Sequence, residues 1–228
     1  MKTNLLILLL LFIINFSFAQ SFNDVKKSAE QGHAVAQYTL GVMYHKGDGT
    51  LTDKKQALYW FEKSAKQGNA FAQSNLGVMY DKGDGILTDK KQALYWYKKS
   101  AKQGNAVAQY NLGLMYDKGY GTLTDKKQAF YWFEKSAEQG YEYAQHTLGF
   151  MYYKGDGTLT DKKQALYWFE KSAKQGYEDA QYNLGLMYYN GDGTLIDKKQ
   201  AAIWIRKSYE NGSEKAHQFW DAKELYNY

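Results

Sequence analysis

Apolar and small residues at Ala36, Leu40, Met43 and Tyr44 fall at i, i+4, i+7 and i+8, the spacing of one face of an α-helix. Ala57, Trp60, Phe61 and Ser64, with Ala65 beside them, trace a second such face. Between the two, Gly47-Asp48-Gly49 ends the first helix, because glycine takes the left-handed conformation at little steric cost. Asp53-Lys54-Lys55-Gln56 opens the second. An aspartate followed three residues on by a glutamine predicts a reciprocal capping box for the free N–H groups of that helix. Gln67-Gly68 stops the second helix and turns the chain back. The pattern predicts a hairpin of two helices, each about 13 residues or ~20 Å long. Both helices carry an apolar face, so the hairpin must stack on neighbours to bury them.

The same pattern returns every 36 residues without insertion or deletion, in units 33–68, 69–104, 105–140, 141–176 and 177–212. Its central glycine recurs at Gly41, Gly77, Gly113, Gly149 and Gly185. Glycine inside a helix costs roughly 1 kcal/mol against alanine. Its presence in every copy predicts close approach of the second helix. Residues 20–32 supply only the end of a second helix, Val25 to Gly32 matching Phe61 to Gly68. Residues 213–228 supply only a first helix, with Trp220 in place of the leucine and Asp221 in place of the glycine. Half-units of this kind cover the open ends of a finite array. The expected fold is all-α: an α/α solenoid of antiparallel helix pairs with 36-residue repeats, capped at both ends, with one continuous core.

The recurring set Ala36-Gln37, Leu40-Gly41, Met43-Tyr44, Gly47, Gly49, Asp53, Ala57, Trp60-Phe61, Ser64-Ala65 and Gln67-Gly68 resembles the Sel-one-like repeat family, a relative of the tetratricopeptide repeats. The resemblance covers all five units and both caps. It implies a right-handed superhelix with first helices lining the concave side. It also implies an adaptor or scaffold role, frequent among exported bacterial proteins and signalling complexes. Two departures matter. Thr52, Thr88, Thr124, Thr160 and Ile196 stand where family loops often carry proline. The chain also has no cysteine, so it cannot form the hairpin disulfides of the family's cysteine-rich secreted branch, and the β-lactam-directed activity suggested for that branch does not transfer.

The copies differ chiefly in their first helices. Leu51–Gly68 and Leu159–Gly176 are identical over 18 residues, whereas position 38 and its equivalents read Tyr38, Ser74, Tyr110, His146 and Tyr182. The position-35 set reads Val35, Phe71, Val107, Tyr143 and Asp179, and the position-45 set reads His45, Asp81, Asp117, Tyr153 and Tyr189. By resemblance these side chains point into the concave groove, with Val42, Phe150 and Leu186 between them. The candidate binding residues are therefore Val35, Tyr38, Val42, His45, Phe71, Tyr110, Tyr143, His146, Phe150, Tyr153, Tyr182, Leu186 and Tyr189. Equivalent positions of stacked helices lie about 8–10 Å apart, so the aromatics of the last two units can form one patch. Tyrosine offers a broad apolar face with a hydrogen-bonding tip, which suits a peptide or a sugar. The competing reading is that these rings pack between helices.

Composition adds a compartment. Lys2, an apolar run from Leu5 to Ile14, and small residues at Ser17 and Ala19 make residues 1–19 a secretory leader, with cleavage expected after Ala19. The run is shorter than the ~20 residues that span a bilayer, so no stable membrane insertion is expected after cleavage. The chain is thereby expected to be exported, to the periplasm or beyond. Loss of Lys2 leaves 28 basic against 24 acidic residues, a net charge of +4, which gives no argument for nucleic acid. Without cysteine or proline, stability rests on packing, and 21 glycines supply the turns.

Lysine pairs follow each capping aspartate: Lys54-Lys55, Lys90-Lys91, Lys126-Lys127, Lys162-Lys163 and Lys198-Lys199. They form either a basic ridge or a solvated edge. The Gly-Asp-Gly loops offer too few oxygens for calcium, which takes roughly six to eight. His33, His45, His146 and His217 show no paired ligand spacing, and no nucleophile elbow, phosphate loop or zinc-protease motif is present. Asn211-Gly212-Ser213 fits a glycosylation sequon but reads better as a helix stop. No cofactor or metal is called for. These features point to a non-enzymatic scaffold that holds a protein segment in its groove. A binder of cell-wall glycan is the alternative. A β-lactam or wall-peptide hydrolase fits less well, because no residue can be nominated for the chemistry.

Overall fold

The computed structural model describes residues 21–228, and the leader expected over residues 1–19 lies outside the described residues. Two compact units meet between Ala108 and Gln109. The first holds α1, helical over 21–30, then α2 (Ala34–Lys46), α3 (Lys54–Lys66), α4 (Ala70–Lys82) and α5 (Lys90–Lys102). The boundary falls inside α6 (Ala106–Lys118), where the repeat pattern shows no mark. The second unit continues with α7 (Lys126–Glu138), α8 (Glu142–Lys154), α9 (Lys162–Lys174), α10 (Glu178–Asn190), α11 (Lys198–Glu210) and α12 (Glu214–Ala222). A 3-10 turn at Leu225–Asn227 ends the chain. Among the described residues there is no strand. Within each unit consecutive helices pack as pairs, and each pair packs on the next, as α2 on α3 and α3 on α4. The fold is an all-α solenoid of helical hairpins.

The hairpin loop is closed at both ends by backbone geometry. Gly47, at φ 83°, donates its N–H to the Met43 carbonyl and stops α2. The Asp53 side chain accepts from the N–H groups of Lys55 and Gln56, both at 3.0 Å. The reciprocal half of the expected capping box is replaced: the Asp53 N–H donates instead to the Tyr44 carbonyl at 2.9 Å. The same bond joins Asp89 to Tyr80, Asp161 to Tyr152 and Asp197 to Tyr188. The loop brings the last turn of the first helix within reach of that N–H, so the glutamine is not needed there.

Leu40, Ala57, Phe61 and Ala65 are buried as the helical spacing predicts. The glycine of the first helix meets a ring rather than a backbone: a Cβ on Gly41 would stand 2.6 Å from Cδ1 of Phe61. Polar groups also enter the core. Gln37 is buried, donates to the Ala29 carbonyl at 3.1 Å and accepts from Gln67 at 2.7 Å. Gln73 with Gln103, and Gln145 with Gln175, repeat the pair, and Asn211 takes the glutamine's place beside Gln181. Ser64 donates to the Ala34 carbonyl at 2.6 Å. Among the described residues no buried side-chain nitrogen or oxygen lacks a partner, so these groups specify register at little desolvation cost. At the C-terminus Glu224, at φ 46°, folds the chain back so that Leu225 is buried with Ala202, Ile205 and Ala216. No helix among the described residues is long and apolar enough to cross a membrane.

Candidate functional site

In the second unit the first helices carry a continuous row of rings. Tyr110 lies 5.3 Å from Tyr141, and Tyr141 is 5.3 Å from Tyr143. Tyr143 lies 5.0 Å from Tyr177, and Tyr177 is 5.0 Å from His146. Phe133 and Phe169, from the second helices, floor the row beneath Tyr110 and His146 at 5.5 Å each. Most of these contacts are edge-to-face, the arrangement favoured by ring quadrupoles. Burial pushes Tyr141 up to about 12 and moves Tyr110 and Tyr177 in the same direction, so the phenols are neutral hydrogen-bonding groups. Burial holds His146 below the ordinary histidine value, against a smaller opposite pull from Asp179. The Asn183 amide nitrogen lies 2.9 Å from His146 Nε2, which uses the neutral ring as acceptor.

Beside this row Phe150, Tyr153, Phe169, Asn183 and Leu186 line a pocket of about 110 Å³. The first unit has the equivalent pocket, about 280 Å³, lined by Tyr38, Val42, His45, Phe61, Asn75 and Val78. Tyr38 lies between Phe61 and Phe71, 5.9 Å from each. Val35 and Phe71 stand out into solvent, 70% and 60% exposed.

Other candidates are engaged by the protein itself. Tyr182 and Tyr189 pack on Phe219 of the capping helix, at 6.1 and 5.2 Å. Tyr153 donates to Asp192 at 2.9 Å. His45 lies 2.8 Å from Asp84 and from the Lys54 ammonium. These contacts reveal what the Gly-Asp-Gly aspartates do. Asp84 pairs with Lys54 of the preceding repeat, Asp156 with Lys126 and Asp192 with Lys162. The hydrogen bond from Lys162 holds Asp192 below the usual carboxylate range. The expected ridge of paired lysines therefore divides into two rows. The first lysine of each pair is bonded within the protein, Lys54, Lys126 and Lys162 to the aspartate of the following repeat and Lys90 and Lys198 to the last turn of their own first helix, whereas Lys55, Lys91, Lys127, Lys163 and Lys199 remain exposed.

The residue-level reading missed Tyr141 and Tyr177. Both occupy the N-cap position, where Asn69 caps α4 through Ala72 N–H. Neither tyrosine makes a side-chain cap bond. That substitution was visible in the sequence: a good cap had been replaced twice, in adjacent repeats, by a ring that cannot cap.

Stacked hairpins with a variable first-helix face and a constant second helix define an α/α repeat protein. The chain belongs to the Sel1 repeat family, whose repeat matches residues 34–69, 70–105, 106–141, 142–177 and 178–213. These bounds lie one residue later than the frame set by the apolar pattern. Sel1 repeat proteins generally mediate protein–protein interaction. The chain is similar to c5321, a protective antigen of uropathogenic Escherichia coli strains with an SLR fold. The two share 40% identity and a TM-score of 0.82, over 86% of this chain and 42% of that one. It is also similar to a Sel1 repeat protein from Oxalobacter formigenes, at 34% identity and a TM-score of 0.81, over 89% of this chain and 59% of that one. The chain thus spans about half the length of these relatives. The immunity protein Pa5087 from Pseudomonas aeruginosa shares the fold, with 20% identity and a TM-score of 0.53 over 85% of this chain and 74% of that one. No curated protein matches the chain.

Proposed function

We propose that the chain is a non-enzymatic interaction scaffold, exported to the cell envelope or beyond, whose first-helix face holds a segment of a partner protein. One observation carries this reading. The row from Tyr110 through Tyr143 and Tyr177 to His146 is built at the expense of two helix caps, which packing alone does not require. Tyr143 and Phe150 keep 41% and 47% of their surface in solvent, so the row has area left to bury. Asn75 and Asn183 border the two pockets, and their amides both donate and accept, the complement of an extended peptide backbone. Export is supported by the leader pattern of residues 1–19 and by the likeness to a protective antigen.

The test is capture from an envelope extract, read by quantitative mass spectrometry, with the parent chain and the double variant Tyr143→Ala, Phe150→Ala. The variant is expected to lose the specific partner while circular dichroism stays unchanged. Equal recovery by both proteins would overturn the site. Loss of sedimentation with purified peptidoglycan in the variant, with no protein partner for the parent, would instead assign the rings to a glycan.

A further inference from the structure

A second surface lies on the solvent side of the second helices. In the first repeat Leu51, Lys55, Tyr59 and Lys63 stand four residues apart, from the loop tip down one side of α3. At that spacing Lys55, Tyr59 and Lys63 share a face of α3, and Leu51 precedes the helix at the loop tip. The same stripe recurs on α5, α7, α9 and α11, with Ile203 replacing the tyrosine on the last. Its leucine and both lysines are the same in all five repeats, yet the leucine does nothing for the core.

The leucines are the anomaly. Leu51, Leu87, Leu123, Leu159 and Leu195 are each 86% to 88% exposed. No described part of the protein covers them; Leu51, Leu123 and Leu159 stand between threonines at the loop tip, and Leu87 and Leu195 adjoin Ile86 and Ile196. The loops stack in register within each unit. A Cβ on Gly85 would meet Cβ of Lys54 at 2.7 Å, so the loop of one repeat rests on the start of the previous second helix. Leu159 consequently shares a shallow depression with Lys127 of the repeat before it. Exposed leucine and exposed lysine thus alternate along the loop edge of a unit.

The rest of the stripe has a matching chemistry. The Tyr59 ring meets the edge of Trp60 at 4.9 Å, and the Lys63 ammonium lies 4.7 Å from the tyrosine centroid. Lys99 on Tyr95 and Lys171 on Tyr167 repeat that distance. Acids beside the stripe are paired, Glu62 with Lys66 and Glu170 with Lys174, and Glu138 takes the stripe's own Lys135. Helix α5 carries five lysines and no acid.

Three kinds of occupant recognise basic aromatic surfaces, and the leucines separate them. An anionic polysaccharide would use the lysines and tyrosines but gains nothing from aliphatic side chains standing free in water. A protein partner takes apolar residues as a contiguous patch or into a pocket, whereas Leu51, Leu123 and Leu159 each stand between two threonines and Leu87 and Leu195 have one isoleucine neighbour, Ile86 and Ile196. A bilayer rewards all three residue types: leucine enters the acyl boundary, tyrosine sits at headgroup level, and lysine meets anionic headgroups. We propose that the second-helix face of each unit docks peripherally on an anionic lipid surface, with the loop leucines inserted and the stripe lysines on the headgroups.

The test is co-sedimentation of the chain from Gln20 onward, which holds every described residue, with two kinds of vesicle. One is pure phosphatidylcholine and the other an equal mixture of phosphatidylcholine and phosphatidylglycerol. Binding is expected to the anionic vesicles only and to weaken as salt rises. Replacing all five loop leucines by serine should weaken it by about tenfold or more, because each loses a buried aliphatic side chain. The melting temperature should not move. The variant Lys127→Gln, Lys163→Gln, Lys199→Gln should also bind more weakly. Absence of binding to anionic vesicles would overturn the proposal. So would a five-serine variant that binds as tightly as the parent, and retention of both proteins on dextran sulfate would then assign the face to a polyanionic glycan.

Discussion

Gly41 joins the periodicity of the sequence to a packing reason. Alanine at an exposed helix interior would gain roughly 1 kcal/mol over glycine. Here its Cβ would press on the Phe61 ring, which is buried and cannot swing away. Overpacking of this kind typically costs about 1–3 kcal/mol. Gly41→Ala is therefore expected to lower the urea midpoint, and a raised midpoint would show that the ring yields. His146 carries the second prediction at this scale. Burial holds its folded pKa below 6.5, with Lys215 acting in the same direction and Asp179 opposing. The unfolded chain then binds the proton more readily than the folded one. Stability should fall as pH drops through 6.5 and level off below the folded value. Urea midpoints at about pH 7.5 and about pH 5 should converge in His146→Phe relative to the parent, and an equal fall in both proteins would refute the assignment.

The helices show what can be read along a chain and what cannot. Helix limits were legible because each end carries local chemistry: Asp53 starts α3, Gly47 stops α2, and the apolar spacing fixes the buried faces. Contacts between repeats were not. Lys54 with Asp84, and Gln67 with Gln37, join residues about one period apart, and only the stacking of hairpins brings them together. Phe219 on Tyr182 and Tyr189 was equally hidden, since the capping helix departs from the repeat that would have placed it. Tyr141 and Tyr177 went unread because they stand at turn positions. Tyr141→Asn tests their role. It restores a cap worth about 1 kcal/mol and removes ring contacts worth about 0.5–1.5 kcal/mol. Thermal stability should change little while partner capture falls sharply. Capture at the parent level would show that the ring serves only packing.

At the scale of the molecule the repeat divides its labour. Recurring positions build the hairpin, the glutamine pairs and most of the lysine–aspartate links between neighbouring repeats. The first-helix face varies, and the second unit concentrates its rings there. The second-helix face stays nearly constant and presents leucine, lysine and tyrosine to solvent. The two faces are thus suited to different occupants, one specific and one general. This separation is tested most directly by site-specific photo-crosslinking in the native cells, with benzoyl-phenylalanine placed at Tyr143 or at Tyr167. A discrete protein adduct is expected from Tyr143 and none from Tyr167. Protein adducts from Tyr167 alone, or equally from both, would contradict the assignment of the partner to the first-helix face.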